Sequence, residues 1–319
     1  TVWIYGANNE LAKEKLRGAT LRGAYGDECS LWPESFFVQL LARLSLSHAR
    51  LYITTNPEGP RHWFKTGYLD REEALDLASW SYTIDDNATL DRTYVESLKA
   101  EYVPGSLWYR RFILGQWVAA EGAIYDSFNE TAHVLEEQPP ASRYWLAVDY
   151  GTVNPFAALL FAQTAEGIHV AAEFWYDSKQ NAGRTLTDPE YSTRLQAWII
   201  HDLATELPDG RPYIEGVIVD PSAASFKTQL RSDGWTGVLD ADNSVVEGIR
   251  NTAAGFASGR LTISSTCRNL LRELPGYVWD PRKSDLGLDE PVKLDDHAVD
   301  ALSYGLSRPL RGSDTFSTY

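Results

Sequence analysis

The chain has 319 residues, room for one large domain or two ordinary ones, and its 44% hydrophobic and 23% charged residues are the composition of a packed globular protein. A net charge of −15 argues against a broad basic surface that coats nucleic acid, although carboxylates that hold divalent cations enter the same count. Cys29 and Cys267 are too few for a disulfide framework, and no run approaches the ~20 apolar residues of a membrane span. No secretory signal opens the chain, which makes a cytoplasmic setting the default. There is no Met, and the opening TVWIYGANNE reads as a β-type run already under way, so upstream sequence is expected before residue 1.

The first third alternates short apolar runs with helical patterns. LRGAYGDE reads as a strand ending at Asp27-Glu28, and Phe36, Phe37, Leu40, Leu41 and Leu44 repeat at helical spacing. LYITTNPEG is a second strand ending in Thr54, Thr55 and Asn56. This strand–helix–strand order predicts a parallel α/β sheet. An Asp at such a strand end suits Mg2+, which takes hard oxygen ligands, and a neighbouring Glu can polarise an attacking water. Small polar side chains at the next strand end can sense a γ-phosphate in the crevice of an open sheet. Alone, Asp27-Glu28 reads better as an acidic strand exit, and Thr54-Thr55-Asn56 reads also as a Thr-rich strand end with an Asn-Pro turn; in order, the two favour a nucleotide site. No G-x-x-x-x-G-K-[ST] occurs, so a phosphate-binding loop is expected upstream and this chain by itself is not expected to turn over ATP.

Residues 89–117 read as helical, interrupted at Pro104-Gly105, and EEQPPASR (136–143) is the clearest linker by composition. The domains are therefore placed at 1–135 and 136–319. The second opens with RYWLAVDYG, a buried strand ending in Asp149. FAALLFAQTAEGIHVAAEFWYD predicts a hairpin turning near Glu166-Gly167, and IEGVIVDPS a further strand ending in Asp220. Residues 244–258 and 266–274 read as helices around the short strand RLTIS. KLDDHAVDALSYGL (293–306) closes the pattern as an amphipathic helix with Ala298, Leu302 and Leu306 on one face.

Carboxylates beside apolar strands are costly to bury unless a cation or hydrogen bonds compensate. Two strand-end aspartates, closed by a helix bearing acid or imidazole, would form an oxygen-rich cage for two divalent cations ~4 Å apart, suited to phosphodiester cleavage. His297 and Asp300 are three apart and share a helical face, with Asp296 four from Asp300; Asp295 is the expected N-cap. A turn at Asp149 or Asp220, or simple capping at 295–296, explains each residue singly; the strand–hairpin–strand–helix order favours a site.

Together GAYGDECSLWPE, TTNPEGPRHWFKTGYL, LGQWVAAEGAIYDSFN, AVDYG, IVDPSA and DDHAVDALSYGL resemble the large terminase subunit of tailed bacteriophages over nearly the whole chain. The resemblance implies the C-terminal part of a P-loop-type ATPase sheet followed by a ribonuclease-H-like nuclease domain. It implies Asp27 as Mg2+ ligand and Glu28 as catalytic carboxylate, with Thr54, Thr55 and Asn56 in the coupling motif and Arg17 as an arginine finger. It implies Mg2+ or Mn2+ at Asp149, Asp220, Asp296, His297 and Asp300, of which Asp149, Asp220, His297 and Asp300 are catalytic. ATP with Mg2+ is implied for the full-length protein. Double-stranded DNA, a portal ring and a small terminase subunit are the implied partners, in a ring while packaging and a monomer in isolation, within the host cytoplasm and without a membrane. Arg282, Lys283, Lys293, Lys179 and Arg184 are candidate phosphate contacts. The alternatives are a stand-alone resolvase-like nuclease and a non-enzymatic portal adaptor whose acidic clusters are solvated faces.

Overall fold

The computed structural model describes residues 2–7, 9–152, 154–208 and 210–307. Its strands are β1 (Gly23–Gly26), β2 (Arg50–Ile53), β3 (Val134–Leu135), β4 (Arg143–Asp149), β5 (Phe156–Gln163), β6 (Ile168–Tyr176), β7 (Ile214–Val219), β8 (Val238–Asp240) and β9 (Leu261–Ser264). Its helices are α1 (Glu34–Arg43), α2 (Trp63–Gly67), α3 (Arg92–Ala100), α4 (Glu130–His133), α5 (Asp188–Ala197), α6 (Leu203–Glu206), α7 (Ala224–Ser232), α8 (Val245–Ala257), α9 (Arg268–Glu273), α10 (Pro281–Ser284) and α11 (His297–Leu306). None of the described helices is long and apolar enough to cross a membrane.

The chain divides into two compact units: Thr1–Glu96 with Pro104–Ala120 and Pro281–Asp289, and Ser97–Val103 with Glu121–Asp280 and Glu290–Tyr319. This differs from a single break after residue 135. Residues 121–135 fold with the second unit because β3 pairs in parallel with β9 and Ala123 bridges to Val278. The segment 281–289 returns to the first unit through buried polar contacts. Ser284 donates to the Ala120 carbonyl at 2.7 Å. Arg111, its side chain fully buried, donates to the Asp289 carboxylate, to Glu58 at 3.1 Å and to the Val118 carbonyl. The 136–143 stretch lies inside the second unit, where Gln138 donates to Ala171 and Ser264 at 2.8 and 3.1 Å.

In the first unit, β1 and β2 pair in parallel with Gly26 opposite Ile53. α1 connects them and buries Phe36, Phe37 and Leu40, the apolar face its spacing predicts. Residues 2–7 form no strand, contrary to the reading of TVWIYG; residue 1 lies outside the described residues.

The second unit is built on a mixed sheet of order β3-β9-β6-β5-β4-β7-β8. The expected hairpin is present, β4–β5 and β5–β6 being antiparallel, and β7 lies parallel to β4. Alternation along β4 sends Tyr144, Leu146 and Val148 into a core with Tyr191 and Leu195 of α5 and Phe226 and Leu230 of α7. Trp145, Ala147 and Asp149 point to the other face, against which α11 packs. The Trp145 indole donates to the Gly305 carbonyl at 3.0 Å. Gly305 lies so close to Phe161 that a β-carbon there would collide with the ring. α5 to α7 and β8 have no counterpart in the sequence reading.

Two outcomes follow. Gly305→Ala should destabilise the second unit by about 1–3 kcal/mol through overpacking against Phe161, read by urea denaturation. His169, 1% exposed on β6, bonds Thr262 at 2.9 Å and Gln138 at 3.0 Å, and burial lowers its imidazole from 6.5 to about 4. The unfolded chain takes up this proton first, so stability should fall as pH drops from 6.5 towards about 4, by up to about 1 kcal/mol per pH unit. His169→Gln should flatten that slope in urea titrations across the same range.

Candidate metal centre

β4 and β7 run parallel with Val148 beside Val219, so the residues that follow, Asp149 and Asp220, stand at neighbouring carboxyl ends. The Asp220 amide donates to the Val148 carbonyl at 3.2 Å, which locks this juxtaposition. α11 lies across the same face of β4 and β5, and its first residue, His297, bonds the Asp149 carboxylate through Nδ1 at 2.9 Å. Lys293 Nζ stands 3.1 Å from Asp296 Oδ2 and 3.2 Å from Asp300 Oδ2. The Asp296 contact is between charges only: that oxygen is buried and accepts no hydrogen bond. Trp175 flanks the cluster, with its ring 6.4 Å from that of His297 and the Arg272 guanidinium over it at 5.6 Å.

The electrostatics are those of acids crowded away from water. Burial pushes the Asp149 carboxyl up; the His297 bond opposes this, while Asp220 and Asp296 reinforce it. Asp300 is raised to about 6, by burial first; Lys293 lowers it, and Asp296 and Asp149 raise it further. Burial works to lower His297, but the bond and charge of Asp149, with Asp296 and Glu273, outweigh it and raise the imidazole. Lys293 is likewise raised: burial lowers it and Asp300 and Asp296 outweigh that. Tyr304 is raised by burial and by Asp300, Asp149, Asp220 and Asp296 together, which places its phenol in the same field.

Asp149, Asp296, His297 and Asp300 are thus brought together, with Asp220 at the adjoining strand end. Their oxygens do not face one centre: among the described residues no three His, Cys, Asp or Glu side chains are arranged to hold a metal ion. Asp220 instead accepts from the Ser222 amide and hydroxyl, both at 2.8 Å, in the turn its DPS sequence encodes. One expectation is corrected. The N-cap of α11 is Asp296, because Asp295 adopts left-handed backbone with φ +48°. Lys293 is drawn into the acidic cluster by the charges around it. Arg184 is held by Glu190 at 2.5 Å. Sequence reading missed Glu273, Trp175 and Tyr304; a Tyr seven residues after His297, two helical turns on, was the available signal for the last.

In the first unit, Asp27 accepts from Thr54 and, at 3.4 Å, from Tyr25. Thr55 accepts from the Ser30 amide at 3.0 Å, and Glu28 leaves β1 in left-handed backbone, φ +50°. Hydrogen bonds therefore join the ends of β1 and β2, with Asn56 following. Arg17 is 73% exposed in its side chain and pairs with Glu14 at 2.6 Å.

Residues 1–132 match the family described as terminase large subunit, T4likevirus-type, N-terminal. The large terminase of a thermophilic bacteriophage is 37% identical and superposes with a TM-score of 0.87 over 94% of this chain and 72% of that one. The chain belongs to the large terminase family. Its likeness extends to the same thermophilic-phage terminase in complex with ADP, 36% identical with a TM-score of 0.87 over 96% of this chain and 73% of that one. The terminase large subunit of Escherichia phage T5 is 24% identical over 293 residues, 88% of this chain; the chain spans 63% of that relative's length. These matches bear out the expected family and the α/β class of this terminase.

One measurement tests the crowding. Asp300→Asn should stabilise the metal-free protein at pH 7.5 by about 1–3 kcal/mol in EDTA, because it removes a carboxylate whose ionised form the fold disfavours. An unchanged or lower melting temperature would refute it.

Proposed function

We propose that this chain carries the DNA-cutting site of a phage packaging motor, a divalent-metal-dependent endonuclease acting on double-stranded DNA. The observation that carries the reading is the meeting of Asp149, at the end of β4, with His297 at the head of α11, beside Asp220 and among Asp296 and Asp300. A solvated acidic face does not account for it, since Asp149 and Asp296 are only 8% and 7% exposed. Membership of the large terminase family, with a match at 1–132, speaks against a stand-alone resolvase.

The donor set fits Mg2+ or Mn2+: hard carboxylate oxygens, one imidazole, and a buried Asp296 oxygen that lacks a hydrogen bond. Asp149, Asp220, Asp296, His297 and Asp300 would hold the ions after turning from their present partners, Ser222 at Asp220 and Lys293 at Asp296 and Asp300. The chemistry that two ions would supply if held there is a polarised water for attack on phosphorus and charge stabilisation of the departing 3′ oxygen. The chain's own residues prepare for this. His297 orients the Asp149 carboxylate, and the Lys293 ammonium neutralises Asp296 and Asp300 until cations compete for them. Lys179, Arg184, Arg282, Lys283 and Lys293 remain the basic residues we propose for contact with DNA phosphates.

In the first unit we assign Asp27 and Glu28 to Mg2+ and water in ATP hydrolysis, Thr54, Thr55 and Asn56 to coupling, and exposed Arg17 to a neighbouring subunit. The thermophilic-phage relative, solved with ADP and with ATP-gamma-S, supports this. The portal ring, a small terminase subunit and the host cytoplasm complete the setting.

Plasmid nicking in Mn2+ tests the reading. Asp149→Asn and Asp220→Ala should each lose more than about 100-fold, beyond the 10–100-fold typical of outer-shell partners. Mn2+ should raise the melting temperature of the wild-type protein by mass action, and not that of Asp149→Asn. Wild-type nicking by Asp220→Ala sinks the assignment.

A further inference from the structure

Glu273, the last residue of α9, is 3% exposed and is not among the residues assigned to cations. Its Oε2 accepts from the backbone amides of Ala298 at 2.7 Å and Val299 at 3.3 Å, the two residues that follow His297. The first amides of a helix have no partner within it and need an acceptor from outside, ordinarily the N-cap side chain. In α11 the N-cap is Asp296, and its side chain makes no capping hydrogen bond. That carboxylate lies instead 3.1 Å from Lys293 in the acidic cluster. The cap is therefore supplied from another helix.

The supplying helix is itself anchored. Glu173 of β6 accepts from the Asn269 and Leu270 amides at 2.7 and 3.0 Å, so it caps α9 as Glu273 caps α11. A line of contacts runs from β6 through α9 and α11 to His297 and Asp149. Glu273 also leaves one oxygen, Oε1, buried without a hydrogen bond, with Arg272 at 3.9 Å. A buried carboxylate with an idle oxygen is costly, and what Oε2 holds is the start of α11.

We propose that Glu273 is a positioning residue of the metal centre. It caps α11 in place of Asp296, which leaves the Asp296 carboxylate to the cluster and fixes where His297 and Asp300 meet Asp149. This rests on the nuclease reading and adds a residue to it. Without Glu273, the N-cap residue Asp296 would be left to cap the free amides and would turn away from the cluster to do so.

The test uses the full chain as wild type, Glu273→Gln and Glu273→Leu. Mn2+ affinity is measured by calorimetry, plasmid nicking as kcat and KM, and folding by circular dichroism. Gln keeps an acceptor oxygen for the two amides; Leu does not. Folded Glu273→Leu should bind Mn2+ about 10–100-fold more weakly and lose kcat with KM for DNA unchanged, as for residues that orient metal ligands. Glu273→Gln should lie closer to wild type than to Glu273→Leu on both readouts. Wild-type behaviour of Glu273→Leu, or equal loss in folded Glu273→Gln, overturns the proposal. Should Glu273→Leu fail to fold, Glu273→Gln and amide exchange in the wild type decide, and rapid exchange at Ala298 and Val299 overturns it. A wild type that neither binds Mn2+ nor nicks overturns the nuclease reading itself. One that does both while Glu273→Leu matches it overturns the role of Glu273 alone.

Discussion

The second unit is organised around one buried charge, the Asp149 carboxylate beneath α11. A carboxylate in that position is tolerated only with a partner, and the partner is the first side chain of a helix 148 residues away in sequence. The rest of the helix's docking serves that contact. Gly305 allows α11 to lie against Phe161, and Trp145 bonds the Gly305 carbonyl from the same face of β4 that bears Asp149. Two side chains of one strand, four residues apart, thus hold the two ends of one helix.

Around that contact the fold gathers more negative charge than it neutralises. The charges of Asp220 and Asp296 help to raise Asp149, those of Asp296 and Asp149 help to raise Asp300, and all four aspartates help to raise Tyr304; the Lys293 ammonium and His297 imidazole answer only part of this. Such crowding works against stability, and proteins retain it where a site needs it. A cation is the natural remedy, because it replaces repulsion by coordination in surroundings from which water is largely excluded. The first unit shows the same habit in milder form. Asp27 and Thr54 meet at neighbouring ends of parallel strands, but near solvent.

Much of this was legible in the chain. β4, β5, β6, β7, β9 and α11 were read from runs of apolar residues, from period and from turn residues, and Asp149 and Asp220 at strand ends followed from where those runs stop. The shared face of His297 and Asp300 followed from helical spacing. α5, α7 and β8 were missed: the helices pack against a sheet face through scattered aromatic and aliphatic side chains, and the strand is only three residues long.

The amino-acid sequence by itself determined the strands and the closing helix that frame the acidic cluster, and that Asp149 and Asp220 stand where two of those strands stop, because apolar period and turn chemistry act over a few neighbouring residues. Tertiary structure alone decided which charges meet. Asp296 serves the cluster while Glu273 caps the helix, Lys293 is drawn among carboxylates, and residues 281–289 fold with the first unit through Arg111. Each of these depends on desolvation and on Coulomb energy at distances of a few ångströms, between groups that local pattern leaves unrelated.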